Sequence, residues 1–162
     1  MSAGVDANKS DENRAFQDCY PDDYSHCYGC GRLNEHGLQI KSYWDGNESV
    51  CRFLPDRHYS GGKKDILYGG LIASLIDCHG AGTAAAAKAK EQGIEIKKGK
   101  IPRFVTASLK VDYLAPTPVN TELELRGTIK ELTGRKVTVE VNLLAQQKLC
   151  AKGELLFIQV QE

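Results

Sequence analysis

The sequence predicts an α+β domain in which a curved antiparallel sheet of about six strands wraps one long central helix. Two stretches predict it. Residues 66–87, ILYGGLIASLIDCHGAGTAAAA, carry one formally charged side chain, Asp77, among Leu, Ile, Ala and Gly. A helix that is apolar or small on nearly every side belongs inside a protein. Beyond Arg103 the period changes to two: Val105, Ala107, Leu109 and Val111 alternate with Thr106, Ser108, Lys110 and Asp112, and Val137, Val139, Val141 and Leu143 alternate with polar neighbours. Such runs joined by short turns form an antiparallel meander with one wet face. The dry face needs a cover, and the helix is the only candidate.

Taken in order, residues 1–25 are polar and acidic with little periodicity, and read as a partly disordered tail with one short helix near Glu12–Cys19. Residues 26–162 read as a single domain, long enough to bury a core. It opens on the turn-rich knot His26-Cys27-Tyr28-Gly29-Cys30-Gly31. Two short strands near Leu38–Trp44 and Ser49–Leu54 follow, separated by Asp45-Gly46-Asn47. The helix should end near Gly93. The strand from Arg103 to Tyr113 is stopped by Pro116 and Pro118, and on it Thr106 falls on the polar face. Further strands begin at Leu123 and after the Gly134-Arg135 turn, and a last one runs from about Lys148 to Val160.

The 21 basic and 21 acidic side chains cancel, so no net field points to nucleic acid or to a membrane surface. Residues 66–87 are long enough to span a bilayer, but Asp77 at mid-helix would be penalised by roughly 3 kcal/mol, and a membrane span is rejected. No secretory signal is read at the N-terminus. The six cysteines are therefore expected as reduced thiols in the cytoplasm. Cys27-x-x-Cys30, with His26 and His36 nearby, is half of a zinc ligand set. A closed structural site needs four ligands, no second Cys-x-x-Cys follows and Cys19 is the only spare, so neither metal nor cofactor is expected.

The chemistry-bearing features are a glycine pair and an acid. Gly69-Gly70 is a poor helix interior, at roughly 1 kcal/mol per residue against alanine, and makes sense as a helix start where bare N–H groups approach a ligand. Those N–H groups and the positive end of the helix dipole suit a developing oxyanion. Asp77 is a costly buried carboxylate unless it is bonded or used. It lies seven residues past Gly70, roughly 10 Å at ~1.5 Å per residue, so one small substrate is more easily bracketed by Asp77 of one subunit and Gly70 of another. His79 points elsewhere on the helix and reads as a hydrogen-bonded core or interface histidine.

These residues resemble the hotdog fold and, within it, the PaaI-like acyl-CoA thioesterases. The matching pieces are Cys27-Tyr28-Gly29-Cys30-Gly31 with Asn34 and Gly37-Leu38, then Gly69-Gly70-Leu71-Ile72-Ala73-Ser74-Leu75-Ile76-Asp77, then Val105-Thr106-Ala107-Ser108-Leu109-Lys110-Val111-Asp112-Tyr113-Leu114-Ala115-Pro116. The resemblance covers about residues 26–160. It implies that Asp77 is the catalytic carboxylate, general base or nucleophile on the thioester. It implies that Gly70 donates its N–H to the thioester carbonyl, and that Thr106 helps position the attacking water. It further implies a homodimer or dimer of dimers with active sites at the subunit interface.

Many members carry His-Gly-Gly, whereas this chain has Tyr68 before Gly69 and Gly70. A phenol with a reference pKa of ~10 donates a hydrogen bond but does not shuttle a proton at neutral pH. Tyr68 and Gly69 are thus expected to contact substrate, and the basic pair Arg135 and Lys136 to meet CoA phosphates. The alternative is a non-catalytic acyl-CoA or small-ligand binding hotdog protein. A hotdog hydratase lacks an adjacent Asp/His dyad here.

Overall fold

In the computed structural model, which describes residues 14–161, strands β1 (Ser42–Asp45) and β2 (Glu48–Phe53) precede helix α1 (Gly69–Glu91). Strands β3 (Phe104–Tyr113), β4 (Leu123–Thr133), β5 (Lys136–Ala145) and β6 (Lys148–Gln159) follow it. All join one six-stranded sheet in the order β1-β2-β4-β5-β6-β3, with every neighbouring pair antiparallel. The helix packs against β3, β4, β5 and β6. This is the hotdog architecture, and it places β3 at a sheet edge.

The local reasons for the elements are visible in the turns and the alternation. Gly134 and the Gln146-Gln147 pair take positive φ, which suits the tight turns of the β4–β5 and β5–β6 hairpins. Gly93, also at positive φ, follows the helix end, where a left-handed residue commonly stops a helix. On β5 the expected alternation is complete, with Val137, Val139, Val141, Leu143 and Ala145 all buried. These side chains meet Leu71, Leu75 and Ile76 of the helix in the main core. Close approach of helix and sheet is set by Gly153 on β6, where a Cβ would fall 2.3 Å from Ile76 Cγ2.

Two expectations need correcting. The alternation on β3 does not run unbroken: the pairing with β6 steps from Thr106↔Phe157 to Ser108↔Leu156, a bulge at Ala107. A bulge adds one residue and reverses which side chains face the core. Thr106 therefore shares the inner face with its buried partner Phe157, not the polar face with Ser108 and Lys110. Beyond the bulge, Val111 packs on the core. The bulge leaves Val105 opposite Ile158 on the other face from Thr106, and Leu109 sits on an edge strand, so both are open to solvent in the single chain (53% and 39% exposed) where the period alone predicted burial.

The second correction concerns residues 14–25, read as the end of a tail. A 3-10 turn at Phe16–Cys19 packs on the helix, where Phe16 and Cys19 join Ala85, Ala86 and Ile101 in a second core. Phe16 also meets Trp44 edge-on at 5.3 Å. The remainder of the expected tail, including the start of its short helix, lies outside the described residues.

His79 is fully buried, as a core histidine should be. Its Nδ1 pairs with Ser42 Oγ at 2.8 Å and its Nε2 with Ser49 Oγ at 3.0 Å. Gln17 donates to Ser42 Oγ at 2.9 Å, and Ser49 pairs with Thr83 at 2.6 Å. The network ties the N-terminal segment, β1, β2 and α1 together. Each member left alone would cost about 1–3 kcal/mol of desolvation.

Burial holds the imidazole down to about 3, helped by the nearby Arg126 charge, against about 6.5 in an unfolded chain. The unfolded state thus takes up the proton first as pH falls. The stability this contributes is whole above about pH 6.5 and is lost as the pH falls toward 3, at up to about 1.4 kcal/mol per pH unit. Denaturant midpoints measured from pH 7 to pH 4 should fall more steeply for the wild type than for His79→Gln. Equal slopes would show that His79 is not buried neutral.

Candidate active site

Asp77 sits on the helix face that meets the N-terminal end of β3. It is half-buried and accepts a hydrogen bond from Thr106 Oγ1 at 2.7 Å. Burial raises its pKa above the ordinary carboxylate value, the Thr106 bond opposes that, and the nearby Cys27 adds to it. A carboxylate that is partly desolvated yet held by one donor is a stronger base than one in water. The bulge at Ala107 makes the pair, because it turns Thr106 inward.

Asp77 and Thr106 line a cavity of about 400 Å³ whose walls include Tyr20, Tyr24, Cys27, Cys30, Cys78, Ala81, Arg103, Phe104 and Val105. Most of this lining is apolar or aromatic, which suits an acyl group more than a sugar or nucleotide. At its rim the Arg103 guanidinium stacks on the Tyr24 ring. Arg103 also borders a second, larger cavity of about 770 Å³, together with Lys100, Arg135 and Gln159. Arg135 is held there by donating from Nε and Nη2 to the Gln159 carbonyl, at 3.1 and 2.9 Å. Lys136 begins β5 with its side chain exposed and is not among the residues lining that cavity.

The glycine pair opens the helix as expected. Tyr68 is the N-cap residue, and its carbonyl accepts from the N–H groups of Leu71 and Ile72 at 3.1 and 3.3 Å. Helix geometry leaves the Gly69 and Gly70 N–H groups with no intrahelical acceptor. The Tyr68 ring, 59% exposed, lies directly against Gly70, where a Cβ would come within 2.4 Å of it. Gly69 is fixed from β3 by Tyr113, whose hydroxyl donates to the Gly69 carbonyl at 2.8 Å. Gly69 and Tyr113 border a different recess from the one that holds Asp77. The single chain therefore unites Asp77 with Thr106, and Tyr68 with Gly69 and Gly70, but keeps the two groups apart.

Sequence reasoning counted Arg103 among the basic residues that could meet CoA phosphates but singled out Arg135 and Lys136 instead, and it missed Tyr24, Tyr113 and the third cysteine beside Asp77. The knot puts the Cys27, Cys30 and Cys78 sulfurs within 4.8 Å of one another. Gly29 permits this approach, since a Cβ there would fall 2.3 Å from Cys78 Sγ. Only the position of Cys78 next to Asp77 signalled it in advance.

Comparison with known proteins gives the family and the fold. The Thioesterase superfamily model matches residues 64–151, more than half the chain, from before the glycine pair to within β6. The chain belongs to the thioesterase superfamily. No curated protein is significantly similar to it. Among solved structures, a thioesterase superfamily protein from Shewanella loihica PV-4 is 45% identical, with 86% of this chain and 98% of that one covered and a TM-score of 0.66. Two more distant structures share the fold. The E. coli PaaI protein from the phenylacetic acid degradation operon is 16% identical over 76% of this chain and 81% of that one, at a TM-score of 0.62. A thioesterase from Haemophilus influenzae is 16% identical over 82% and 85%, at 0.63. No helix among the described residues is long and apolar enough to cross a membrane.

One consequence of the knot can be measured directly. Gly29→Ala must displace Cys78 or the knot, and should lower stability by about 1–3 kcal/mol, the usual cost of overpacking. Chemical denaturation would detect it; an unchanged midpoint would mean the knot does not press on the helix as described.

Proposed function

We propose that the protein is an acyl-CoA thioesterase that hydrolyses an acyl-CoA to the free acid and CoA, working as a homodimer or dimer of dimers. The observation that carries the reading is the Asp77–Thr106 pair, 2.7 Å apart, facing a mostly apolar cavity. Thioester hydrolysis needs an activated water or nucleophile and a stabiliser for the oxyanion. Asp77 supplies the first, removing a proton from water or attacking the carbonyl carbon itself. Thr106 orients Asp77 through the bond it donates and holds the water beside it. The acyl chain fills the cavity between Phe104, Val105 and Ala81. The CoA phosphates lie toward Arg103, Lys100 and Arg135, with Lys136 further out.

The oxyanion donor in this reading is the Gly70 N–H of the partner subunit. Within one chain Gly70 lies roughly 10 Å along the helix from Asp77, and its neighbour Gly69 borders another recess. Edge strand β3 leaves Val105 and Leu109 exposed, and an unpaired edge with apolar side chains invites a second copy. An isologous contact along β3 would build two sites at once. Tyr68, against Gly70, then lies near the thioester as a hydrogen-bond donor. The cytoplasm, where acyl-CoA is made and used, suits the reduced cysteines.

Free-thiol release from short, long and aromatic acyl-CoAs tests the reading. Asp77→Asn should lower kcat/KM by about 10²–10⁴, the range for loss of a general base. Thr106→Val should lower kcat with little change in KM. A wild type that binds CoA esters but turns none over would favour the non-catalytic binding protein, for which Tyr68 in place of histidine is the specific observation. A protein that is monomeric by sedimentation and still fully active would remove the shared site.

A further inference from the structure

We propose that Cys27, Cys30 and Cys78 form a binding site for a thiophilic divalent ion of the zinc class, with its fourth coordination position open into the cavity that holds Asp77 and Thr106. Two of the sulfurs come from the knot at the spacing Cys-x-x-Cys, and the third comes from the middle of α1. The fourth-ligand objection raised by the sequence thus changes form. No second pair is needed when a helix cysteine completes a three-sulfur face and the remaining position is left for water or a ligand sulfur. Three protein ligands with an open position is the arrangement of reactive zinc sites, whereas four close a structural one.

The distances fit. The three sulfurs lie within 4.8 Å of one another, and Cys27 Sγ is 3.7 Å from Cys78 Sγ. A tetrahedral ion at ~2.3 Å from each sulfur places them about 3.8 Å apart. All three cysteines border the cavity, so an ion on their open side faces it. The backbone prepares the site. Gly31 N–H donates to the Cys27 carbonyl at 2.8 Å, and Leu38 N–H to the Tyr28 carbonyl at 2.7 Å, fixing the loop. Gly29 lets it close onto the helix without a side chain between.

The chemistry fits as well. The Cys27 and Cys78 sulfurs are already in contact at 3.7 Å, so the ligand atoms are gathered before any ion arrives. Binding the ion releases the thiol protons to solvent. Thiolate ligands select zinc or another thiophilic metal over magnesium or calcium.

The test uses the full chain, fully reduced and under anaerobic conditions, titrated with Co²⁺ as a spectroscopic stand-in for zinc. The expected result is a thiolate-to-cobalt charge-transfer band that saturates at one ion per chain and is abolished by one equivalent of Zn²⁺. Cys27→Ser and Cys78→Ser should lose the band, while Cys150→Ser, outside the cluster, keeps it. Should Cys78→Ser fail to fold by circular dichroism, Cys27→Ser decides, because Cys27 is exposed. No band in the wild type, or an undiminished band in Cys27→Ser, overturns the proposal. So does failure to bind after reduction by a protein whose Cys27 and Cys78 are found joined as a disulfide. Thioester hydrolysis is not the readout, so loss of either reading leaves the other standing.

Discussion

The contact on which this molecule depends is the burial of α1 against the concave face of the sheet. The helix contributes an almost continuous line of buried residues from Leu71 to Ala89, and the strands contribute Val139, Val141, Leu155 and Phe157. At ~25 cal/mol per Å² of apolar surface, that interface supplies the main driving force for the fold. It also sets a problem. A helix crossing from one sheet edge to the other must carry any polar side chain the protein needs into the interior, where such a group requires partners. His79 is satisfied by two serines. Lys88 near the helix end is satisfied by the Gly134 carbonyl at 2.8 Å and by Glu91. Asp77 receives one donor, Thr106, and the rest of its carboxylate faces the cavity.

That inequality separates a fully bonded polar group from a partly open one on the same helix. His79 has both ring nitrogens bonded and a depressed pKa, so nothing is left to exchange a proton. Asp77 has free lone pairs, a raised pKa and open space in front of it. Two titratable residues two positions apart are given opposite surroundings by the sides of the helix they occupy, about 200° apart.

Much of the architecture was legible because it rests on periodicity. The β5 alternation, the hairpin turns and the buried helix follow from residue pattern alone, and the glycine pair did mark the helix start. What was not legible is where the chain departs from period. The bulge at Ala107 leaves no mark in a run that alternates apolar and polar on both sides, so Thr106 was placed on the wrong face. Phe16 and Cys19 sit in a polar stretch whose packing depends on the helix side they cover. The three-cysteine cluster joins residues 48 and 51 positions apart in sequence, and proximity of that kind is decided by the fold. Asp77 stood out as one acid in an apolar helix, but its hydrogen bond with Thr106 was not readable from strand polarity.

The bulge on β3 has a meaning for how such a site can change over time. It divides the strand into a segment at 104–106 that faces the cavity and a segment at 108–113 that secures the edge against β6. Because the extra residue absorbs the offset, either segment can exchange its side chains without forcing the other out of register. Side chains at Phe104 and Val105 can therefore be exchanged to reshape the cavity while the sheet that carries those residues stays the same.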